Sequence, residues 1–172
     1  VANVFAKQVS ISYLDGQVRV GRKEGFLSDA YVSSLKVVFL SEKIFDNSSV
    51  AALAITAHEL GHAMQDKINP QILRRRDRLS ALAKILGYMM TPLFIIGILL
   101  FFLMPTNLIF SISCLAGAIG IFFLALFVKA LTISIEKDAS KKAIDFLREL
   151  QILQEDEIKL AKALLKAALL TY

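Results

Sequence analysis

The sequence predicts a mainly helical α+β membrane protein with a small N-terminal β-sheet and a transmembrane helical hairpin. Three observations support this fold class. The stretch from Ile85 to Val128 contains no Asp, Glu, Lys, Arg or His, and because a bilayer core requires about 20 apolar residues per helix, it can hold two crossings. Alternating apolar residues occur before this stretch, and charged residues at helical spacing follow it.

The composition separates this chain from ordinary soluble enzymes. Of its 172 residues, 56% are hydrophobic and 20% are charged, and the mean hydropathy is +0.59. Soluble domains average about 45–50% apolar and about 25% charged residues. The single cysteine, Cys114, lies inside the apolar stretch and cannot pair within the chain. Disordered, collagen-like and disulfide-stabilised classes are therefore excluded.

The N-terminal segment is expected to form strands. Val9, Ile11 and Tyr13 alternate with polar residues, Asp15-Gly16 is typical of a tight turn, and Val18 and Val20 resume the alternation, which indicates a β-hairpin. The run Leu35 to Leu40 is a third strand candidate.

Helices are expected from there on. Asp46 to Ser49 is a cluster of helix N-cap residues, which predicts a helix from about Ser48 to Lys67 that ends at Asn69-Pro70. A basic helix from about Gln71 leads into the first membrane span. The two predicted spans lie at approximately Ile85 to Met104 and Leu108 to Lys129, and a helix from Ser134 to Leu150 follows them. A last helix is expected to begin at Asp156 and Glu157 and to reach Tyr172. Its apolar stripe is expected to contain Leu160, Leu164 and Ala168.

These elements divide the chain into five consecutive segments of one integrated catalytic domain, which we expect to continue beyond both ends of the sequence. They are a small β-rich segment at 1–47, an active-site helix at 48–70, a basic juxtamembrane helix at 71–84, the transmembrane hairpin at 85–129, and C-terminal helices at 130–172.

The charge pattern predicts which way the hairpin faces. The net charge is +5, and the cations cluster at the two ends of the apolar stretch, whereas the connector Pro105-Thr106-Asn107 is uncharged. By the positive-inside rule, both flanks lie in the cytoplasm. No stacking aromatic residues alternate with the cations, so the basic residues favour lipid headgroups over nucleic acid.

The only two histidines stand in the motif His58-Glu59-Leu60-Gly61-His62. On the predicted helix, residues four apart point to the same side, so both imidazoles can reach one Zn²⁺. Glu59 is then placed to act as the general base on a zinc-activated water and to return the proton to the leaving amine.

A catalytic zinc site usually has three protein ligands. With no further histidine, the third ligand is expected to be a carboxylate, and an even number of membrane crossings must separate it from His62. Glu136 follows the second span directly, and the small residues Ala139, Ser140 and Ala143 share its helical face. Glu136 is the favoured ligand. The open alternatives are Asp138, which points about 200° away on the helix, Asp145 and Glu149.

At these motifs the sequence resembles the bacterial neutral zinc metallopeptidases of YugP type, integral membrane proteins related by motif to the gluzincins. The resemblance covers about Phe26 to Tyr172. It rests on the segments Phe26-Leu27-Ser28-Asp29, Leu40-Ser41-Glu42, Ser48 to Leu53, His58 to Gln65, Glu136 to Ser140, and Ala168 to Tyr172.

The resemblance implies zinc ligands at His58, His62 and Glu136 and a catalytic Glu59. It also implies further membrane helices before and after the present ends. The sequence departs from the family at Ala30, where the family usually has a histidine.

Two functions are compatible with these features. The first is a zinc metalloendopeptidase, embedded in the bacterial inner membrane, that hydrolyses peptide bonds of membrane or membrane-proximal proteins at a cytoplasm-facing site. The alternative, suggested by Ala30, is a catalytically weak zinc-bound scaffold that binds a membrane protein partner or a second copy. In the first case, Tyr31 is a candidate oxyanion donor, although packing is the favoured role for a tyrosine beside a strand. The strand Leu35 to Leu40 is a candidate peptide-binding strand, although a core role is at least as compatible with its composition.

Overall fold

A computed structural model describes residues 1–25, 28–104, 106 and 108–170. The fold is mostly helical with one small sheet, as expected. Its elements in chain order are α1 (Ala2–Tyr13), β1 (Arg19–Lys23), β2 (Ala30–Val32), β3 (Val37–Ser41), α2 (Glu42–Phe45), α3 (Val50–Ile68), α4 (Pro70–Leu103), α5 (Leu108–Ala130), α6 (Ile133–Glu149) and α7 (Glu155–Leu170).

The chain forms two compact units. Unit 1 comprises Val1–Arg74 and Ser134–Tyr172, and unit 2 comprises Arg75–Ile133. Unit 1 is therefore built from both ends of the sequence, and the chain leaves it and returns to it once.

The predicted N-terminal hairpin is wrong, because its first strand is helix α1. Ala2, Phe5, Ala6 and Val9 are buried at the three-to-four residue spacing of one helical face, whereas Ile11 is 74% exposed. The pattern at residues 9, 11 and 13 has the period of a strand by coincidence.

The Asp15-Gly16 pair does adopt the expected left-handed conformation, with φ of 55° and 68°. It closes a helix rather than a hairpin, since the Gly16 N–H donates to the Ser10 carbonyl oxygen at 2.8 Å. The Leu14 N–H donates to the same oxygen at 3.0 Å, so the turn satisfies a carbonyl group at the C-terminus of α1.

The sheet has the order β1-β3-β2, with β3 parallel to β1 and antiparallel to β2. The candidate strand Leu35 to Leu40 is shifted, because Lys36 takes a φ of 51° in the turn before β3, and Leu35 lies in that turn. Both edges of β3 are paired, so it is a core strand and cannot accept a peptide by strand addition. The short strand β2, which the sequence did not predict, is an edge strand.

Helix α3 has the predicted limits to within two residues. The Ser49 hydroxyl caps its N-terminus by accepting from the Ala52 N–H at 3.2 Å. Asn69 ends α3 and begins α4, since its side-chain oxygen accepts from the Gln71 N–H at 3.1 Å. Pro70 takes the first position of α4, where a missing N–H has no cost.

Helices α4 and α5 are long and apolar enough to cross a membrane. Only 11% of the most apolar 18-residue segment of each helix is buried. A core helix of a soluble protein would be mostly buried. Helix α4 runs through Pro92 without a break, so the basic segment and the first span form one helix. The two helices meet at Gly97, whose carbonyl oxygen accepts from the Ser111 hydroxyl at 2.8 Å. Of the uncharged connector, Pro105 and Asn107 lie outside the described residues.

Helix α7 packs on the rest of unit 1 through Ile158, Ala161 and Leu165, which are all buried. The predicted stripe is wrong, since Leu160 is 62% exposed. The buried face of α7 is instead the one that contains Ile158, the first residue after the three acidic residues of the first turn. The predicted end at Tyr172 lies outside the described residues, as do Phe26, Leu27 and Thr171 of the segments that carry the family resemblance.

Candidate metal centre

Helices α3 and α6 bring together three side chains that could hold a metal ion. The Nε2 atoms of His58 and His62 lie 3.2 Å and 3.3 Å from Oε2 of Glu136. One potential ligand atom from each of the three residues lies within 4.8 Å of the other two. His58 and His62 are one turn apart on α3, and Glu136 is in the first turn of α6.

The distances fit a tetrahedral zinc ion. Ligand atoms about 2.0–2.2 Å from such an ion lie about 3.3 Å from each other, which matches the two nitrogen to oxygen distances here. Two imidazoles and one carboxylate are also the donor set of many catalytic zinc sites.

Burial supports the same interpretation. The His62 and Glu136 side chains are 1% and 2% exposed. Within the described part of the chain, Nε2 of His62 has no hydrogen-bond partner, because the nearby Glu136 oxygen is not aligned for one. A buried ring nitrogen without a partner is costly unless it binds something. A metal ion would satisfy it.

The Gln65 amide fixes the tautomer of His62. Its NH₂ group donates to the Ile135 carbonyl oxygen and to an Asp138 carboxylate oxygen, both at 2.8 Å. Its oxygen must therefore face His62 Nδ1, at 2.9 Å. Nδ1 then carries the proton and Nε2 is left with its lone pair, the form that binds a metal.

His58 is oriented in a similar way. Its Nδ1 lies 3.2 Å from the Ser140 hydroxyl, so Nε2 is the nitrogen that faces Glu136. Ser140 lies one helical turn after Glu136 on α6. Helix α6 thus contributes a potential ligand and a side chain that orients another one.

The other carboxylates considered from the sequence lie outside the ligand group. Asp138 accepts hydrogen bonds from Gln65 and Lys142. Burial alone would raise the pKa of Asp138, but these hydrogen bonds outweigh it and lower the pKa below its ordinary value. Glu149 accepts from the Tyr13 hydroxyl at 2.8 Å. Sequence reasoning missed Gln65 and the role of Asp138. The sequence feature that could have indicated Gln65 was its position three residues after His62, a predicted ligand, on the same helix.

Glu59 lies in the same cleft as the potential ligands, and its Oε2 accepts from the Tyr31 backbone N–H at 2.8 Å. The Tyr31 phenol points elsewhere, since it donates to Asp66 at 2.8 Å, and Lys36 also pairs with Asp66. Burial and the bond to Asp66 raise the pKa of the Tyr31 phenol. The phenol is therefore engaged with Asp66 rather than placed as an oxyanion donor, and its burial fits the packing role favoured for it.

The cleft has a volume of about 310 Å³. Its walls combine the polar groups of the site with apolar residues of α7. Ala30 is not among the residues that line it. They are Asp29, Ile55, His58, Glu59, Glu136, Ser140, Leu164, Leu165, Ala168 and Leu169.

Helices α3 and α6 approach closely at Gly61. A Cβ atom added there would overlap the Ala139 carbonyl oxygen and lie 3.1 Å from the Ala139 Cα. The obstacle is backbone, which cannot rotate away. Ala139, one of the small residues of α6 that were expected to allow close packing, thus lies directly against α3.

Gly61→Ala is expected to lower the free energy of unfolding by about 1–3 kcal/mol, as overpacking of a tight contact does. It should also weaken zinc binding, because the helices that separate carry all three potential ligands. Thermal unfolding and zinc titration measure both effects. Gly120→Ala is the matched control, since that helical glycine has no neighbouring atom within 4 Å of an added Cβ. Wild-type values for Gly61→Ala would contradict the close packing.

Comparisons with known proteins identify the family of this chain. The profile of the family described as "Putative neutral zinc metallopeptidase" matches residues 3–172. A curated relative, the "Putative membrane protease YugP" of Bacillus subtilis (strain 168), is 28% identical over 148 residues, which are 86% of this chain and 62% of the relative. The chain thus spans less than two thirds of that relative's length. No solved structure gives a significant match. Because the family profile covers nearly the whole sequence, the chain belongs to the "putative neutral zinc metallopeptidase" family.

Proposed function

We propose that this protein is a membrane-embedded zinc metalloprotease that hydrolyses peptide bonds of membrane or membrane-proximal proteins at a site facing the cytoplasm. The observation that carries the proposal is the convergence of His58, His62 and Glu136 within 4.8 Å, in a cleft that also contains Glu59. The family and the relative named as a membrane protease support it.

The residues of the site have separate roles in the proposed reaction. His58, His62 and Glu136 hold the zinc ion, and Gln65 and Ser140 orient the two rings. Zinc, when bound, supplies a Lewis acid that lowers the pKa of a coordinated water towards 7. Glu59 accepts the proton of the attacking water and later donates it to the leaving amine. The Tyr31 backbone N–H holds one Glu59 oxygen at 2.8 Å, which orients the carboxylate.

The proposed location rests on the two apolar helices and the charges around them. The faces of α4 and α5 expose many large apolar side chains, which a lipid environment would cover. Arg74, Arg75 and Lys84 precede the first apolar stretch, and Lys129 follows the second. This distribution favours a cytoplasmic position for both flanks. Proteins in or near the membrane would then be the accessible substrates.

A zinc-dependence experiment tests the activity. The purified full-length protein in detergent should contain one zinc per chain and cleave an unfolded, fluorophore-labelled reporter. Chelation should abolish cleavage, and zinc should restore it. His62→Ala should lose the metal, whereas Gln8→Ala, at an exposed position on α1, should retain it. A wild type that binds zinc and cleaves no reporter would support the scaffold role instead.

Cysteine labelling tests the orientation. With Cys114 replaced by alanine, a cysteine at Thr106 should react with an impermeant maleimide on intact cells, because the uncharged connector is proposed to lie outside. Cysteines at Ser80 and Lys159 should react only after permeabilisation. The reverse pattern would place the site outside the cell and rule out cytoplasmic substrates.

A further inference from the structure

A second cavity, with a volume of about 530 Å³, opens between α6 and α7. It shares Ser140, Leu165 and Leu169 with the cleft that contains His58 and Glu59. Ser140 also contacts the His58 ring at 3.2 Å. The second cavity is therefore a continuation of the site and begins next to a proposed zinc ligand.

This continuation, here called the basic groove, has charged walls and an apolar floor. Ile144, Leu165 and Leu169 provide the apolar residues, and Asp145 is the one carboxylate among the described residues that line it. The acidic residues of α7 are confined to its first turn, outside the groove. Five cations line the walls: Lys137, Lys141, Arg148, Lys162 and Lys166.

Most of these cations form no close ion pair within the part of the chain that the structure describes. Arg148 pairs with Glu155 at 3.1 Å. The four lysines, by contrast, form no ion pair within 4.0 Å with any described residue. Like charges gathered on two facing helices repel one another, and an anionic ligand would relieve that repulsion.

The length of the basic groove limits the number of substrate residues that it can hold. From Ser140, where the groove meets the cleft, to Arg148 at its far end, the groove runs about 12 Å along α6 at 1.5 Å per residue. An extended peptide advances about 3.3 Å per residue. The groove therefore accommodates about four residues of a chain that leaves the zinc-binding cleft.

We propose that the basic groove binds acidic side chains of the substrate, located within about four residues of the cleaved bond and on one side of it. The apolar floor would hold the neighbouring apolar side chains. This inference rests on the proposed peptidase function. A peptide is favoured over an anionic lipid as occupant because the groove is continuous with the cleft in which the peptide bond would be cleaved.

A peptide series tests the proposal. Neutral peptides with one cleavable bond are compared with peptides carrying Asp at single positions, one to six residues from the bond on either side. We expect Asp to raise kcat/KM by about three- to tenfold on one side, at up to about four residues, which corresponds to a few weak surface ion pairs. The gain should fall as ionic strength rises.

Charge reversal tests whether the groove is responsible. Lys141→Glu/Lys166→Glu should remove the preference for acidic over neutral peptides and create one for basic peptides. Lys7→Glu/Lys23→Glu, with the same change in net charge at exposed positions outside the groove, should keep the wild-type preference. Anisotropy of a labelled acidic peptide bound to the full-length protein gives the same comparison without cleavage.

The outcomes separate the two proposals. Cleavage of neutral peptides with no charge preference overturns the basic groove and leaves the peptidase function intact. Absence of all cleavage contradicts the peptidase, and the anisotropy comparison still decides whether the groove binds acidic peptides. In zwitterionic nanodiscs, a charge-reversal effect that appears only after anionic lipid is added would identify lipid as the occupant and overturn the proposal.

Discussion

Replacing Glu59 with glutamine is expected to reduce the turnover number at least about 100-fold while leaving zinc in place. General acid–base catalysis by one side chain contributes about 10²–10⁴ in rate. The amide has nearly the same shape as the carboxylate and can still accept from the Tyr31 N–H through its oxygen. It cannot take a proton from water. Because Glu59 is not among the three proposed ligands, the zinc content should not change.

Single-turnover cleavage of the reporter and zinc analysis on the same preparation measure the two effects. Glu24→Gln is the matched control, since it makes the same chemical change at an exposed position outside the cleft. Undiminished turnover in Glu59→Gln would show that another group moves the proton. Loss of zinc would show instead that Glu59 supports the metal site.

The sequence allowed the proposed ligands to be chosen because local rules determine their positions. The spacing of His58 and His62 fixes their common face on any helix. Glu136 followed from the expected topology, in which two crossings within the charge-free stretch return the chain to the side from which it left. In the structure the chain leaves unit 1 at Arg74 and returns at Ser134, two residues before Glu136.

The N-terminal error has a physical cause. Asp15-Gly16 supplies two residues that tolerate positive φ, and both a hairpin turn and a helix C-terminus require this. The pattern from Val9 to Tyr13 has too few residues to distinguish a strand from a helix. The deciding contacts are tertiary, since Phe5 and Val9 are buried in the same core as Leu60 of α3.

The hydrogen bonds that connect His62 to α6 were not predictable for a similar reason, because they also depend on tertiary packing. Gln65 joins His62 to α6 through Ile135 and Asp138, residues about 70 positions away along the chain. Helical periodicity places Asp138 on a different face from Glu136, which explains why it is absent from the ligand group. Periodicity does not show that this other face also meets α3. Only the packing of α3 against α6 makes Asp138 part of the site.

Replacing Glu136 with glutamine is expected to weaken zinc binding by more than about 100-fold and to abolish cleavage. Loss of a supporting residue typically costs about 10–100-fold in metal affinity, and Glu136 is itself a proposed ligand. The glutamine oxygen is neutral and binds Zn²⁺ more weakly than a carboxylate. The buried position, 2% exposed, limits the access of water that could replace it.

A graded series on α3 and α6 separates a ligand from its supports. Gln65→Leu should weaken zinc binding by about 10–100-fold, because His62 loses the acceptor that fixes its tautomer. Asp138→Asn should have a smaller effect than Gln65→Leu, since Gln65 keeps its bond to the Ile135 carbonyl oxygen. Asp145→Asn, a carboxylate change on the same helix outside the zinc cleft, should bind zinc like the wild type. Zinc affinities from competition with a chelator would give the order Glu136→Gln weakest, then Gln65→Leu, Asp138→Asn and Asp145→Asn. If Glu136→Gln keeps wild-type affinity while Asp138→Asn loses it, the two carboxylates have exchanged roles when metal binds, and the third ligand is Asp138.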